Sequence, residues 1–142
     1  MNSSSTAPLF ADSRLTSRSL APTGLQAPRF GTRSRLEIGQ FDRVFSSSGS
    51  VRRDFPDVFR FELTRNRRLR IYLGNEFSGS NSNRRMTVDL LDDRTLRRVT
   101  GVTINPGRID AITRNLNTGT YRIRISTQSN DRGRYFLDML RI

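Results

Sequence analysis

The sequence contains no cysteine, so neither disulfides nor thiolate chemistry can operate, and the redox compartment is left open. It contains no histidine either. Without His or Cys, a Ser-His or Cys-His nucleophile cannot be assembled, and ordinary zinc ligation is excluded. Tryptophan is absent and aromatics make up only 8% of the chain. No apolar run approaches the length needed to span a membrane. The N-terminus lacks the apolar central stretch of a secretory signal, which needs about 7–15 such residues.

Lysine is missing as well, so all 25 cations are arginines; set against 13 acids they leave a net charge of +12. A coding sequence rich in G and C would favour arginine by itself. The physical consequence is the same: guanidinium forks bind carboxylates and phosphates bidentately, stack on aromatics and desolvate more easily than ammonium. Such a surface suits an acidic partner, whether protein, nucleic acid or anionic lipid. At 142 residues the chain fits one domain plus a tail.

The tail is residues 1–36, rich in Ser, Thr, Pro and Arg, with Asp12 as its one acid. Transit peptides share that composition, which keeps organelle targeting open. Phe10, Leu15, Leu20, Leu25 and Phe30 recur every five residues, followed by Leu36, and Arg14, Arg29 and Arg35 each precede an apolar residue. Five matches neither the helical nor the strand period, and Pro8, Pro22 and Pro28 discourage regular structure. One reading is a disordered linker. The other is an extended peptide that lays apolar anchors into a partner while Arg14, Arg18, Arg29, Arg33 and Arg35 pin the intervals, ordering only on binding.

Residues 37–142 read as short strands separated by turns. The stretch Asn117 to Ser126 sets the pattern: Asn117, Thr118 and Gly119 supply a turn. Tyr121, Ile123 and Ile125 then alternate with Thr120, Arg122, Arg124 and Ser126. Gln40 to Ser46 alternates around Phe41 and Phe45, and S-S-S-G-S after it reads as a loop. In Asp57 to Thr64 the inward residues are Phe59, Phe61 and Leu63, with Val58 and Arg60 outward. Leu69, Ile71 and Leu73 lie opposite Arg68, Arg70 and Tyr72. Gly74 to Asn83 reads as a loop. Met86, Val88 and Leu90 form another inner face, a weaker strand follows around Leu96 to Val102, and Asn105-Pro106-Gly107 marks a turn. Ile109 to Leu116 is a further strand. Strands at this spacing predict an all-β, antiparallel sandwich with an extended N-terminal tail. In the last strand Tyr135, Leu137 and Met139 face in, yet Phe136, Leu140 and Ile142 opposite them are apolar too. Either the strand is central and covered on both sides, for instance by the tail, or it exposes a strip that binds protein.

Four motifs occur in order: D-V-F-R-F-E-L from Asp57, V-D-L-L-D from Val88, N-T-G-T-Y-R-I-R-I from Asn117 and Y-F-L-D-M from Tyr135. Together they resemble the bacterial pre-peptidase C-terminal domain, cyanobacterial in type, over about Leu36 to Ile142. That resemblance implies a jelly-roll-like sandwich without a catalytic role. Such domains usually follow a secreted peptidase and assist secretion, folding or substrate contact. Here no peptidase precedes the domain within the 142 residues, and the charge is strongly basic, so the usual secreted role does not follow.

The chain is expected not to be an enzyme and to need no cofactor. Carboxylates are the remaining acid–base groups, and two must converge in a pocket. Asp89, Asp92 and Asp93 cluster at a strand end among Arg84, Arg85, Arg94, Arg97 and Arg98, where ion pairing is the expected use and calcium the alternative. Arg52/Arg53, Arg67/Arg68, Arg84/Arg85 and Arg97/Arg98 suit phosphates, but only Tyr72 shares a solvent side with arginines, which disfavours base stacking. The expected function is non-catalytic assembly: the tail, with Arg60, Arg68, Arg70, Arg122 and Arg124 on the sandwich, docks a large acidic protein complex, by analogy a phycobilisome. A secreted or periplasmic accessory domain for protein or glycan is the alternative, and nucleic-acid binding a second. The expected location is cytoplasmic, with extracellular or periplasmic as the alternative.

Overall fold

Alternating apolar side chains hold a strand in place only when a second apolar face covers them. The computed structural model describes residues 34–79 and 81–142, the side chains of residues 34 and 35 excepted. Nine strands form two facing sheets: β1 (Ser34–Gln40), β2 (Val44–Val51), β3 (Asp57–Leu63), β4 (Arg67–Asn75), β5 (Met86–Asp92), β6 (Arg98–Ile104), β7 (Ile109–Leu116), β8 (Gly119–Thr127) and β9 (Gly133–Arg141). One sheet has the order β1-β3-β8-β5-β6, the other β2-β9-β4-β7. The all-β two-sheet sandwich expected from the alternation is the fold. The tail positions Phe10, Arg14, Leu15, Arg18, Leu20, Leu25, Arg29, Phe30 and Arg33 lie outside the described residues.

The chain changes sheet at every connection except β5–β6, so the neighbours of a strand are almost never its neighbours in sequence. This explains the one parallel pair, β1 with β3. The chain leaves β1, returns through β2 in the opposite sheet, and re-enters beside β1 in the original direction. Every other pairing is antiparallel.

The core lies between the sheets. Phe59, Phe61, Leu63, Leu69, Ile71, Leu73, Met86, Val88, Leu90, Tyr121, Ile123, Ile125, Tyr135, Leu137 and Met139 are all buried, as their alternation predicts. Phe61 stacks on Tyr121 with ring centroids 5.6 Å apart. It also meets Phe41 edge-on at 6.2 Å.

Several local expectations are corrected. The S-S-S-G-S segment is not a loop: it forms most of β2, paired along its whole length with β9. Serine and glycine have weak strand preference, but the exposed backbone of β9 supplies the ladder that the residues themselves do not demand. Phe41 lies in the β1–β2 connection rather than in a strand, yet is buried. Val58, expected outward, is buried between β1 and β8, where Arg124 is its register partner. β4 runs on through Asn75 into the expected Gly74–Asn83 loop, which also holds a 3₁₀ turn at Ser82–Arg84. The weaker strand begins two residues late, at Arg98, because Leu96 turns with φ 60.

Two buried polar groups fix one end of the sandwich. The Asn75 amide donates at 2.9 Å to the carbonyls of both Arg84 and Ile104, and its oxygen accepts from Phe77 N. The hydroxyl of Tyr135 donates to the Asp57 carboxylate at 2.5 Å, both residues being buried. Gly49 is required beside this pair, since a Cβ there would stand 2.7 Å from the Tyr135 oxygen.

Candidate binding surface

The outer faces of the two sheets carry the arginines singled out in the sequence, and they differ in character. On the five-stranded sheet, register sets Glu37 beside Arg60, Arg60 beside Arg122, and Arg124 beside Asp89. Arg60 donates to Glu37 at 2.7 Å and to Asp93 at 3.0 Å, and Arg122 closes onto the other oxygen of Asp93. Asp89 is buried at the centre of the face, held by Arg98 at 2.8 Å and Arg124 at 3.2 Å. Each aspartate therefore bridges two guanidiniums. Burial pushes the Asp93 carboxyl up, but the hydrogen bonds from Arg122 and Arg60 outweigh it and hold the group below the ordinary aspartate range. The hydrogen bond to Glu37, followed by that to Asp93, raises Arg60 further above the ordinary arginine value.

Asp89 and Asp93 thus form ion pairs, as their setting suggested, but their partners come mainly from distant strands rather than from the adjacent Arg84, Arg85, Arg94 and Arg97. Asp92 has a different task. Its carboxylate accepts the backbone N–H groups of Arg94 and Thr95, shaping the β5–β6 turn, and those bonds lower it from the usual aspartate value, that from Thr95 most. Among the described residues no three carboxylates are placed to hold a metal ion together. The outer side of β8 is not a row of free cations.

The four-stranded sheet presents the other face. Reading across β2, β9, β4 and β7, its outward rows are Val44-Leu140-Arg70-Thr113, Ser46-Asp138-Tyr72-Ala111 and Ser48-Phe136-Gly74-Ile109. The Phe136 ring lies across Gly74, where a Cβ would come within 2.0 Å of it. Val44 and Ile109 are 63% and 62% exposed at opposite corners, and Phe136, Leu140 and Tyr72 are half-buried between them. Among the described residues, Arg70 donates to the Thr113 hydroxyl at 3.1 Å and has no carboxylate partner, and the Arg68 side chain has no hydrogen bond or ion pair. The sandwich residues proposed from sequence therefore divide. Arg60, Arg122 and Arg124 share one face and are paired. Arg68 and Arg70 share the opposite face with Asp138 and, among the described residues, pair with no carboxylate. Arg35 lies in β1 opposite Val58 in register.

A cleft of about 410 Å³ opens at one end, between the β2–β3, β4–β5 and β8–β9 connections. Arg53, Arg84 and Asp131 line it, with Asn81, Asn83, Gln128, Ser129 and Asn130. Asp131 is its one carboxylate and accepts from Arg84 at 2.8 Å. Arg84 also lies 5.4 Å from the centre of the Phe77 ring. These residues are not legible as a site in the sequence, because Asn and Gln in Ser-rich loops carry no spacing signal.

No protein-family model matches the sequence, and no curated protein matches it significantly. Solved structures do share the fold. The pre-peptidase C-terminal domain of collagenase from Bacillus anthracis superposes with a TM-score of 0.60 at 20% identity, covering 78% of this chain and 99% of that one. A periplasmic inhibitor of g-type lysozyme from Aeromonas hydrophila gives 0.55 at 11% identity, covering 76% and 97%. The Yersinia pseudotuberculosis-derived mitogen gives 0.52 at 14% identity, covering 70% and 86%. The resemblance to the pre-peptidase domain in four sequence motifs thus meets a matching fold.

Proposed function

We propose that the chain is a non-catalytic docking module of the cyanobacterial pre-peptidase type, which binds a large acidic protein assembly through the outer face of its four-stranded sheet. The observation that supports this is the contrast between the two faces. Arginines on one are paired with Asp89, Asp93 and Glu37, while Arg68 and Arg70 flank a strip of Tyr72, Phe136 and Leu140, interrupted by Asp138, and neither is ion-paired among the described residues. Apolar anchors within a cationic rim are what an acidic protein surface with apolar pockets would fit. The N-terminal anchors Phe10, Leu15, Leu20, Leu25 and Phe30, with their arginines, would extend the contact along the same partner. A phycobilisome is one assembly with the required acidity, and this reading makes the chain one of its linkers, working in the cytoplasm.

The test is co-sedimentation of the full chain with purified phycobilisomes. Wild type is expected to travel with the complex, less so as salt rises. Arg68→Gln with Arg70→Gln is expected to weaken binding at unchanged melting temperature, whereas Arg124→Gln leaves binding intact. No co-sedimentation, or equal loss in both variants, overturns the assignment. Turnover of a peptide or glycoside panel that is lost on changing a single aspartate would overturn its non-catalytic part.

A second reading, a secreted or periplasmic accessory domain that binds a glycan, is favoured by the end cleft. Asn83, Gln128 and Asn130 among its lining residues carry carboxamides, whose paired donors and acceptors suit sugar hydroxyls, and two of the structurally similar proteins are a collagenase domain and a periplasmic inhibitor. Glycan-array binding abolished by Asn83→Ala or Gln128→Ala would establish it.

A further inference from the structure

Sheet edges that stay solitary are usually protected by charge, proline or a bulge. The sandwich has four edge strands, β1, β6, β2 and β7. β1 carries Glu37 and is irregular at Gly39. β7 carries Asp110 and Arg114, and it lies against β6, closing that side of the sandwich. β2 has none of these protections. Its sequence V-F-S-S-S-G-S-V holds no ionisable group and no proline, and it pairs with β9 over eight consecutive residues without a break.

We propose that two copies of the chain associate by antiparallel pairing of β2 with β2, joining the four-stranded sheets into one sheet across a two-fold axis. The strand is complementary to itself in one register. Residues directly opposite in a pair must lie on the same face, which requires the axis to pass through a residue. Centring it on Ser48 sets Ser46 against Ser50 and Ser48 against itself on the outer face. On the inner face it sets Phe45 against Val51 and Ser47 against Gly49. Apolar thus meets apolar inside, small polar meets small polar outside, and the edge amides of each strand gain partners. Ser50 already accepts a hydrogen bond from Arg132 at 3.0 Å, leaving its own hydroxyl proton free for Ser46 of the second copy. In a chain of net charge +12, an uncharged strand is where two copies approach with least repulsion. The isologous contact closes on itself, so it yields a dimer and not a fibre. Both outer apolar faces then lie on the same side of the continuous sheet.

The test uses the full chain. Sedimentation velocity over a concentration series is expected to show a reversible dimer that strengthens with salt, because Arg43 and Arg53 of opposite copies meet at the seam's ends. This is the reverse of the salt response expected for an acidic partner, so the two proposals fail separately. Ser46→Lys with Ser48→Lys, both at exposed positions, should raise the dimer dissociation constant about tenfold or more with an unchanged melting temperature. Since the chain has no native cysteine, Ser48→Cys should cross-link to its counterpart under mild oxidation, while Ile109→Cys on the β7 edge should not. A monomer at every concentration, equal cross-linking at both sites, or a dimer indifferent to the lysines overturns the proposal. So does a monomer whose β2 amides are protected from exchange by the first 33 residues of the same chain.

Discussion

Gly133 and Gly74 each lie under a phenylalanine, and the two rings face different surroundings. A Cβ at Gly133 would stand 2.2 Å from Phe77, which is buried; one at Gly74 would stand 2.0 Å from Phe136, which borders solvent. The buried ring cannot give way, whereas the outer one can swing off the sheet. Gly133→Ala is therefore expected to cost about 1–3 kcal/mol in urea unfolding, the usual range for overpacking, and Gly74→Ala distinctly less. Equal losses would show that Phe136 is as tightly held as Phe77. Ile123→Ala, at a fully buried central position, is expected to cost about 2–5 kcal/mol. Asp93 links residue chemistry to pH. Its carboxyl lies lower in the folded state than in the unfolded chain, so the folded state binds fewer protons and stability rises with pH across that interval. The contribution is complete above the unfolded value of about 4 and is lost as pH falls through the folded value. Asp93→Asn should flatten the melting-temperature curve below about pH 4 and lower it at neutral pH, where Arg60 and Arg122 lose their shared counter-charge.

Among the elements, β1 decides where the sandwich begins. It starts at Ser34, and Leu36 and Ile38 pack against the core. A deletion ending at residue 33 is therefore expected to leave the melting temperature within a degree or two (roughly the effect of a few tenths of a kcal/mol). One ending at residue 40 would strip β3 of its parallel neighbour and expose part of the core, lowering it clearly. Thermal scans of the two truncations check this. If the shorter deletion already destabilises the sandwich, the first 33 residues are part of its fold. The shorter deletion also isolates the tail's share in binding, because the sandwich surface is retained.

For the molecule as a whole, the repeated change of sheet means that most strand pairs join distant parts of the chain. Loop closure must precede each such pairing, which makes sandwiches slow folders, typically milliseconds to seconds. With both sheets sharing one core, unfolding is expected as a single cooperative transition. The chain has three tyrosines and no tryptophan, and Tyr121 and Tyr135 are buried. Tyrosine fluorescence and circular dichroism should therefore report the same urea midpoint, and two separate midpoints would mean that the sheets come apart independently.

Which side chains point inward is legible in each segment alone. That choice is local: a strand alternates with period two, so Phe59, Phe61 and Leu63, or Tyr135, Leu137 and Met139, declare their face without reference to any other strand. The same periodicity placed Arg122 and Arg124 on the outside, and the Asn105-Pro106-Gly107 turn was legible from backbone preference alone. What stands beside what depends on the assembled sheets. Asp93 is 33 residues from Arg60 and 29 from Arg122, and the sheet order alone brings them together. That order follows from the packing of the whole core, which no single segment specifies. Hence a row of arginines that reads as free charge became a set of ion pairs, while Arg68 and Arg70 on the opposite face pair with no carboxylate among the described residues. The serines of β2 became a strand because β9 offered them a backbone ladder, and among the described strands its other edge has no neighbour.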